Sequence, residues 1–228
     1  MPATPATYPM AFEDYVKVIY AHTEWQPEPI TSSVLAGRLG LAASSVTEMV
    51  KKLGANGLVD HVRYGAITLT PDGAALALRM LRRHRLIETW LVQHYGYAWD
   101  EVHDEAEVLE HALSDRLLDK IDDELGRPTR DPHGDPIPSK AGVISQPAAL
   151  LLRDAVVGER VVVVRISDRD SLLLRHLEAE SVVLDRALEV RSRDPFVVQL
   201  EVQDGERTLA PDALVSIWVS REEPSRVK

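Results

Sequence analysis

The 228-residue chain contains no cysteine, which excludes disulfides, thiolate metal sites and cysteine catalysis. No run of about 18 apolar residues is present, so no membrane span is expected. Met1 to Met10 show no basic region followed by an apolar stretch, so no secretion signal is visible and a cytoplasmic protein is expected. An excess of basic residues is also missing: the net charge is −10, although DNA binders are usually basic. The acid excess is largest between residues 76 and 140, which carry fourteen acidic and nine basic side chains. Bound divalent cations would offset part of that charge. Hydrophobic residues make up 45%, enough for folded cores, and the length suits one large domain or two or three small ones.

Periodicity divides the chain. Phe12–His22 reads as a helix with Val16, Ile19 and Tyr20 on one face. Thr31 is a good N-cap for Ser32–Leu39, and Gly40-Leu41 forms a turn into a second short helix, about Ala43–Leu53, stopped by Asn56-Gly57. Asp60–Thr70 fits two short strands turning at Tyr64-Gly65. Helix-turn-helix plus hairpin is the winged-helix pattern. Residues 76–125 read as long helices. Residues 126–147 hold the densest Pro/Gly cluster and read as a linker or irregular connection. Arg160–Ile166, Ser181–Val190, Phe196–Val202 and Leu214–Val219 are rich in Val, Ile and Leu, as short strands are. The expected fold is mainly α with a small β domain. Its domains are a winged helix-turn-helix over 1–75, a helical segment over 76–140, a linker over 141–156 and a β domain over 157–228.

The second short helix is the one expected in a DNA major groove. Ala42, Ser44, Ser45 and Thr47 at its start, with Lys51 and Lys52 further along, are the candidate DNA contacts. The alternative is that Ser44 and Ser45 only cap a helix.

The strongest chemical signal is His103-Asp104-Glu105-Ala106-Glu107-Val108-Leu109-Glu110-His111. On a helix, Glu107, Glu110 and His111 share one face, with His103 one turn earlier. Carboxylates crowded in one stripe repel one another, and a divalent metal resolves the repulsion; a solvated acidic face is the alternative. His84 and Glu88 form a second pair at i, i+4, which an intrahelical contact would also explain. Asp14 stands in the first turn of a helix, where the dipole favours an acid.

These motifs, in this order, resemble the diphtheria toxin repressor family over nearly the whole chain. The matching stretches are Glu13-Asp14-Tyr15 through Ile19-Tyr20, Gly57-Leu58-Val59, Arg83-His84-Arg85-Leu86 with Glu88, His103 to His111 followed by Ser114-Asp115, and Asp131 to Pro138, "DPHGDPIP". The resemblance implies a DNA-binding homodimer on double-stranded operator DNA, an SH3-like C-terminal domain, about two metal ions per subunit, no membrane and no small organic ligand. It also implies a primary site of Asp14, Glu107, Glu110 and His111, and an ancillary site of His84, Glu88 and His103. A further ligand would come from the C-terminal domain, with Asp168 the best match and Asp170 the second. The iron-responsive branch has methionine at the position of Asp14 and cysteine at that of Glu107. Hard oxygen donors at both positions point to Mn2+ as the cofactor, with Fe2+ the alternative. The short manganese regulators carry a carboxylate where Lys17 stands, so this chain departs from their closely bridged metal pair. A metalloenzyme is the competing class; it would need an open coordination position and leaves the winged helix unexplained.

Overall fold

The computed structural model describes residues 8–62 and 65–221. They fall into two compact units. The first extends to His84 and takes in Pro138–Val143; the second holds Arg85–Ile137 and the chain from Ile144 onward.

The first unit contains α1 (Met10–Thr23), α2 (Ser32–Leu39), α3 (Ala43–Ala55), β1 (Val59–His61), β2 (Ile67–Leu69) and the start of α4 (Pro71–Tyr95). Local chemistry sets these boundaries. The Thr31 hydroxyl accepts from the Val34 amide at 3.4 Å and starts α2. Gly40, at φ +64°, ends that helix in the left-handed conformation that glycine adopts without a Cβ clash. Val46, Val50 and Leu53 recur at helical spacing and are buried, so α3 packs by one stripe and leaves the opposite face to solvent. They join Val16, Ile19, Ile30, Leu35, Leu58 and Ile67 in one core. Strands β1 and β2 pair antiparallel, with Asp60 opposite Thr68. The expected turn at Tyr64-Gly65 includes Tyr64, which lies outside the described residues.

In the second unit, the remainder of α4, α5 (Val102–Ala112) and α6 (Asp115–Glu124) close on Leu86, Ile87, Leu91, Val102, Ala106 and Leu118. The C-terminal region forms a six-stranded antiparallel sheet in the order β3-β8-β4-β5-β6-β7. Its strands are β3 (Leu150–Leu151), β4 (Arg160–Ile166), β5 (Ala187–Arg193), β6 (Val198–Val202), β7 (Gly205–Leu209) and β8 (Ile217–Arg221). A helix, α7 (Ser171–Ala179), packs Leu174 and Leu177 into the same core as Val161, Val163, Val190, Leu200 and Val219. The last seven residues of the expected β domain lie outside the described residues.

Of the expected strands, only Arg160–Ile166 has the observed limits. The stretch from Ser181 is a loop as far as Arg186, because Ser181 and Asp185 take left-handed φ of 59° and 62°, which no strand accommodates. Leu214 belongs to a single 3-10 turn, so β8 begins only at Ile217. Helix α7 is not among the expected elements, although Asp170 is its N-cap and the run that follows is leucine-rich.

The Pro/Gly-dense stretch is irregular but not loose. Asp131, His133, Asp135 and Ile137 are buried. One oxygen of Asp131 accepts from the amides of His133 and Asp135, at 2.8 and 2.9 Å, closing a tight turn. The turn docks on β4, where the Ile166 amide donates to the His133 carbonyl at 2.9 Å. Arg85 donates to the Pro136 carbonyl at 2.6 Å, and Arg165 to Asp135 at 2.7 Å.

Candidate metal centre

Four parts of the second unit converge. Helix α4 supplies Glu88, and α5 supplies His103. The Asp131 turn supplies Asp131 and His133, and the loop after β4 supplies Asp168. Glu88 is 1% exposed, on a stretch of α4 that also buries His84, Arg85 and Thr89. His103 Nδ1 lies 3.5 Å from Glu88 and 3.4 Å from Asp168. Donor atoms of Glu88, Asp131 and His133, all buried, lie within 4.8 Å of one another.

His133 is the most informative of these side chains. Its Nε2 donates to the Trp99 carbonyl at 2.6 Å, and the two rings stack. A carbonyl only accepts, so this contact puts the proton of the neutral ring on Nε2 and leaves a lone pair on Nδ1. Nδ1 is buried, has no hydrogen-bond partner among the described residues, and stands 4.0 Å from Glu88 Oε2. A buried polar atom left in this way is costly unless something absent from the chain satisfies it. A divalent cation fits: the Nδ1 lone pair and the carboxylate oxygens of Glu88 and Asp131 beside it are all metal-donor atoms.

The electrostatics agree. Burial and the neighbouring Asp135 and Glu88 push the Asp131 carboxyl up to about 8. Burial pulls His103 down, but the hydrogen bonds and charges of Asp168 and Glu88 outweigh it and carry the ring to about 11. Burial likewise pushes Asp168 up, and His103, His133 and Arg165 more than reverse it, holding the carboxyl well below its usual range. The cluster has an excess of negative charge that it relieves by holding protons.

The other expected ligands are placed as follows. Glu107, Glu110 and His111 lie on α5; Glu110 is fully buried, with His111 Nε2 at 3.4 Å, and Glu107 is 3.5 Å from His103 Nε2. His84 is buried one turn before Glu88 in α4. Asp14 is half-buried on α1, beside Glu13, which pairs with Arg79 at 3.1 Å. Lys17 is buried on the same helix. Asp170 spends its carboxylate on the amides of Leu172 and Leu173, both at 3.0 Å, as the cap of α7. Asp131 and His133 are not among the expected ligands, because their segment reads as a linker. The available signal was an acid and an imidazole two residues apart among turn formers.

Ala42, the N-cap of α3, and Ser44, Ser45, Thr47, Lys51 and Lys52 on that helix are all exposed. Thr47 returns its hydroxyl to the Ala43 carbonyl at 2.8 Å. No helix among the described residues is long and apolar enough to cross a membrane.

Comparison with known proteins gives the same architecture. Residues 10–67 match the iron-dependent repressor N-terminal DNA-binding domain, residues 70–139 the metal-binding and dimerisation domain, and residues 150–221 the FeoA domain. The iron-dependent repressor of Mycobacterium tuberculosis is 34% identical over 139 residues, 60% of each chain, so that match spans under two thirds of the relative. The diphtheria toxin repressor of Corynebacterium diphtheriae is 30% identical over 208 residues, 87% of each chain. A manganese-dependent transcriptional repressor solved in complex with manganese superposes with a TM-score of 0.89 at 45% identity, covering 92% of this chain and all of that one. With a DNA-binding domain, a metal-binding and dimerisation domain and an SH3-like sheet in that order, the chain belongs to the diphtheria toxin repressor family.

Proposed function

We propose that this chain is a manganese-dependent transcriptional repressor that binds operator DNA as a metal-activated homodimer in the cytoplasm and serves metal homeostasis. The family is one of DNA-binding repressors, so the metalloenzyme alternative is set aside. The observation that carries the manganese reading is the donor set. Every candidate ligand is a carboxylate or an imidazole, and the Nδ1 of His133 is buried beside Glu88 and Asp131. Oxygen-rich sites with imidazole suit manganese, whereas thiolates select softer metals.

In this reading Asp14, Glu107, Glu110 and His111 hold the primary ion. Glu88, His103, Asp131, His133 and Asp168 hold the secondary one, with His84 a further candidate. Bound cations supply the positive charge that lets these carboxylates share a site, and offset local repulsion of phosphate. A ligand set drawn from both α1 and α5 restrains the DNA-binding helices relative to the dimerisation helices. Two recognition helices must reach major grooves about 34 Å apart. Dimers that hold this spacing only part of the time bind more weakly in proportion. The test is to titrate metal-free protein with manganese, iron and zinc and follow binding to a duplex selected from a random-sequence pool. Full DNA binding with iron and none with saturating manganese would refute the manganese reading, since affinity alone rises from manganese to iron and zinc at any such site.

Two further results are expected. The apolar residues of segment 86–121, Leu86, Ile87, Trp90 and Leu91 followed by Val108, Leu109, Ala112 and Leu113, are candidates for the dimer surface, an internal core being the alternative. Leu86, Ile87 and Leu91 are instead buried in the unit's own core. Val108 is 69% exposed, and Tyr95 and Leu117 are also exposed, so α4, α5 and α6 each leave an apolar group for a partner subunit. Sedimentation of the metal-loaded protein at micromolar concentration should give a dimer; a monomer would overturn the assembly. Replacing Asp14 with Met and Glu107 with Cys together should raise the manganese needed for DNA binding at least about tenfold, while iron or cobalt still activates. An unchanged manganese response would show that these positions do not set selectivity.

A further inference from the structure

Helix α3 carries a single acid, and that acid stands on its exposed face. Val46, Val50 and Leu53 are buried, while Ser44, Ser45, Thr47, Glu48, Lys51 and Lys52 meet solvent. Glu48 lies one turn after Ser44 and Ser45, and its side chain is 61% exposed. Among the described residues its carboxylate pairs only with Lys51, at 4.0 Å. Exposed pairs of that kind contribute little. An acid on a helix that enters DNA is costly, because phosphates repel it and the groove strips its water, unless it finds a donor there. We propose that Glu48 reads a cytosine in the major groove. This rests on the role of α3 as the recognition helix in the function proposed above.

The base edges select the partner. A carboxylate only accepts hydrogen bonds. Guanine presents N7 and O6, and thymine O4, all acceptors that repel it. Adenine's N6 amino group lies beside the N7 lone pair, whereas cytosine presents its N4 amino group with no acceptor on the same edge. The other side chains on this face discriminate less. Ser44 and Ser45 have hydroxyls that donate or accept, and Lys51 and Lys52 suit any phosphate or acceptor. Thr47 donates its hydroxyl to the Ala43 carbonyl at 2.8 Å, which leaves it only neutral lone pairs. Glu48 is thus the charged acceptor of the face, and it selects mainly by making a base without a donor costly. In a homodimer the contact recurs in each half-site, so a C·G pair should stand at symmetry-related positions of the operator.

Selection from a random-sequence duplex pool tests this, with full-length, manganese-loaded wild type, Glu48→Gln and Glu48→Ala in parallel. Both substitutions place a good helix former at an exposed position, so folding should be unaffected. Wild type should enrich a cytosine at one position of each half-site, and any other base there should weaken binding at least about fivefold. Glutamine both donates and accepts and pairs with adenine N6 and N7, so Glu48→Gln should move the preference at that position alone from cytosine to adenine. Glu48→Ala should reduce the preference there to less than about twofold, keep the other positions, and bind the mismatched duplexes more tightly than wild type does. The same enriched sequences for wild type and Glu48→Ala, or one uniform change in affinity for all duplexes, overturns the base assignment and leaves the repressor reading in place. If none of the three proteins enriches any sequence, the repressor reading itself fails, and the assignment with it.

Discussion

Glu110→Ala should bring manganese-stimulated DNA binding down to the metal-free level, a loss of at least about 100-fold. Removing the outer partner of a ligand commonly costs 10- to 100-fold in metal affinity, and Glu110 is proposed as a direct ligand. Its carboxylate is fully buried beside His111, so no solvent-exposed acid can take its place. Two thermal melts separate this effect from misfolding. Without metal, the variant should still show a melting transition, lower than wild type because His111 loses its buried partner. With manganese at about 100 times the dissociation constant, a site that binds only the folded protein adds about 2.7 kcal/mol. The primary site's share of that manganese-dependent rise should be missing in the variant. Glu88→Ala should weaken DNA binding less, since it belongs to the ancillary set. If both variants match wild type in a manganese titration, the ligand assignment is wrong.

The largest effect on stability is expected from Gly134→Ala. Gly134 sits at φ +92°, and an added Cβ would lie 2.1 Å from the Val164 carbonyl oxygen and 2.9 Å from the Arg165 Cα. Both obstacles are backbone of β4, at a bulge in its pairing with β8 that is held on either side by Val163 opposite Val219 and Arg165 opposite Trp218. The unfavourable φ costs about 1–3 kcal/mol, and forcing a methyl into a filled space a similar amount. Their sum, about 4 kcal/mol, is a large part of the stability of an ordinary domain. The melting temperature should fall by roughly 10 °C. Manganese uptake at the secondary site should fall too, because the same turn carries Asp131 and His133. A melt within about two degrees of wild type would show that the turn does not dock on β4 as described.

The local patterns of this chain carried much of its organisation. Helices α1 to α3 follow from apolar residues at helical spacing, from Thr31 as a cap and from Gly40 as a stop, all of which act within a few residues. The stripe on α5 was legible for the same reason: 3.6 residues per turn place His103, Glu107, Glu110 and His111 together whatever surrounds them. The strands were less legible. Residues 181–186 are as apolar as many strands, and only the left-handed backbone at Ser181 and Asp185 takes them out of the sheet. What tertiary structure alone decided is the company kept by Glu88. Asp131, His133 and Asp168 are distant from it in sequence and from separate elements. They meet only because Gly134 lets the turn press against β4 and Trp99 fixes the His133 ring. No spacing rule encodes that meeting, because it depends on long-range pairing and on a close backbone approach, neither of which leaves a periodic mark in the residues themselves.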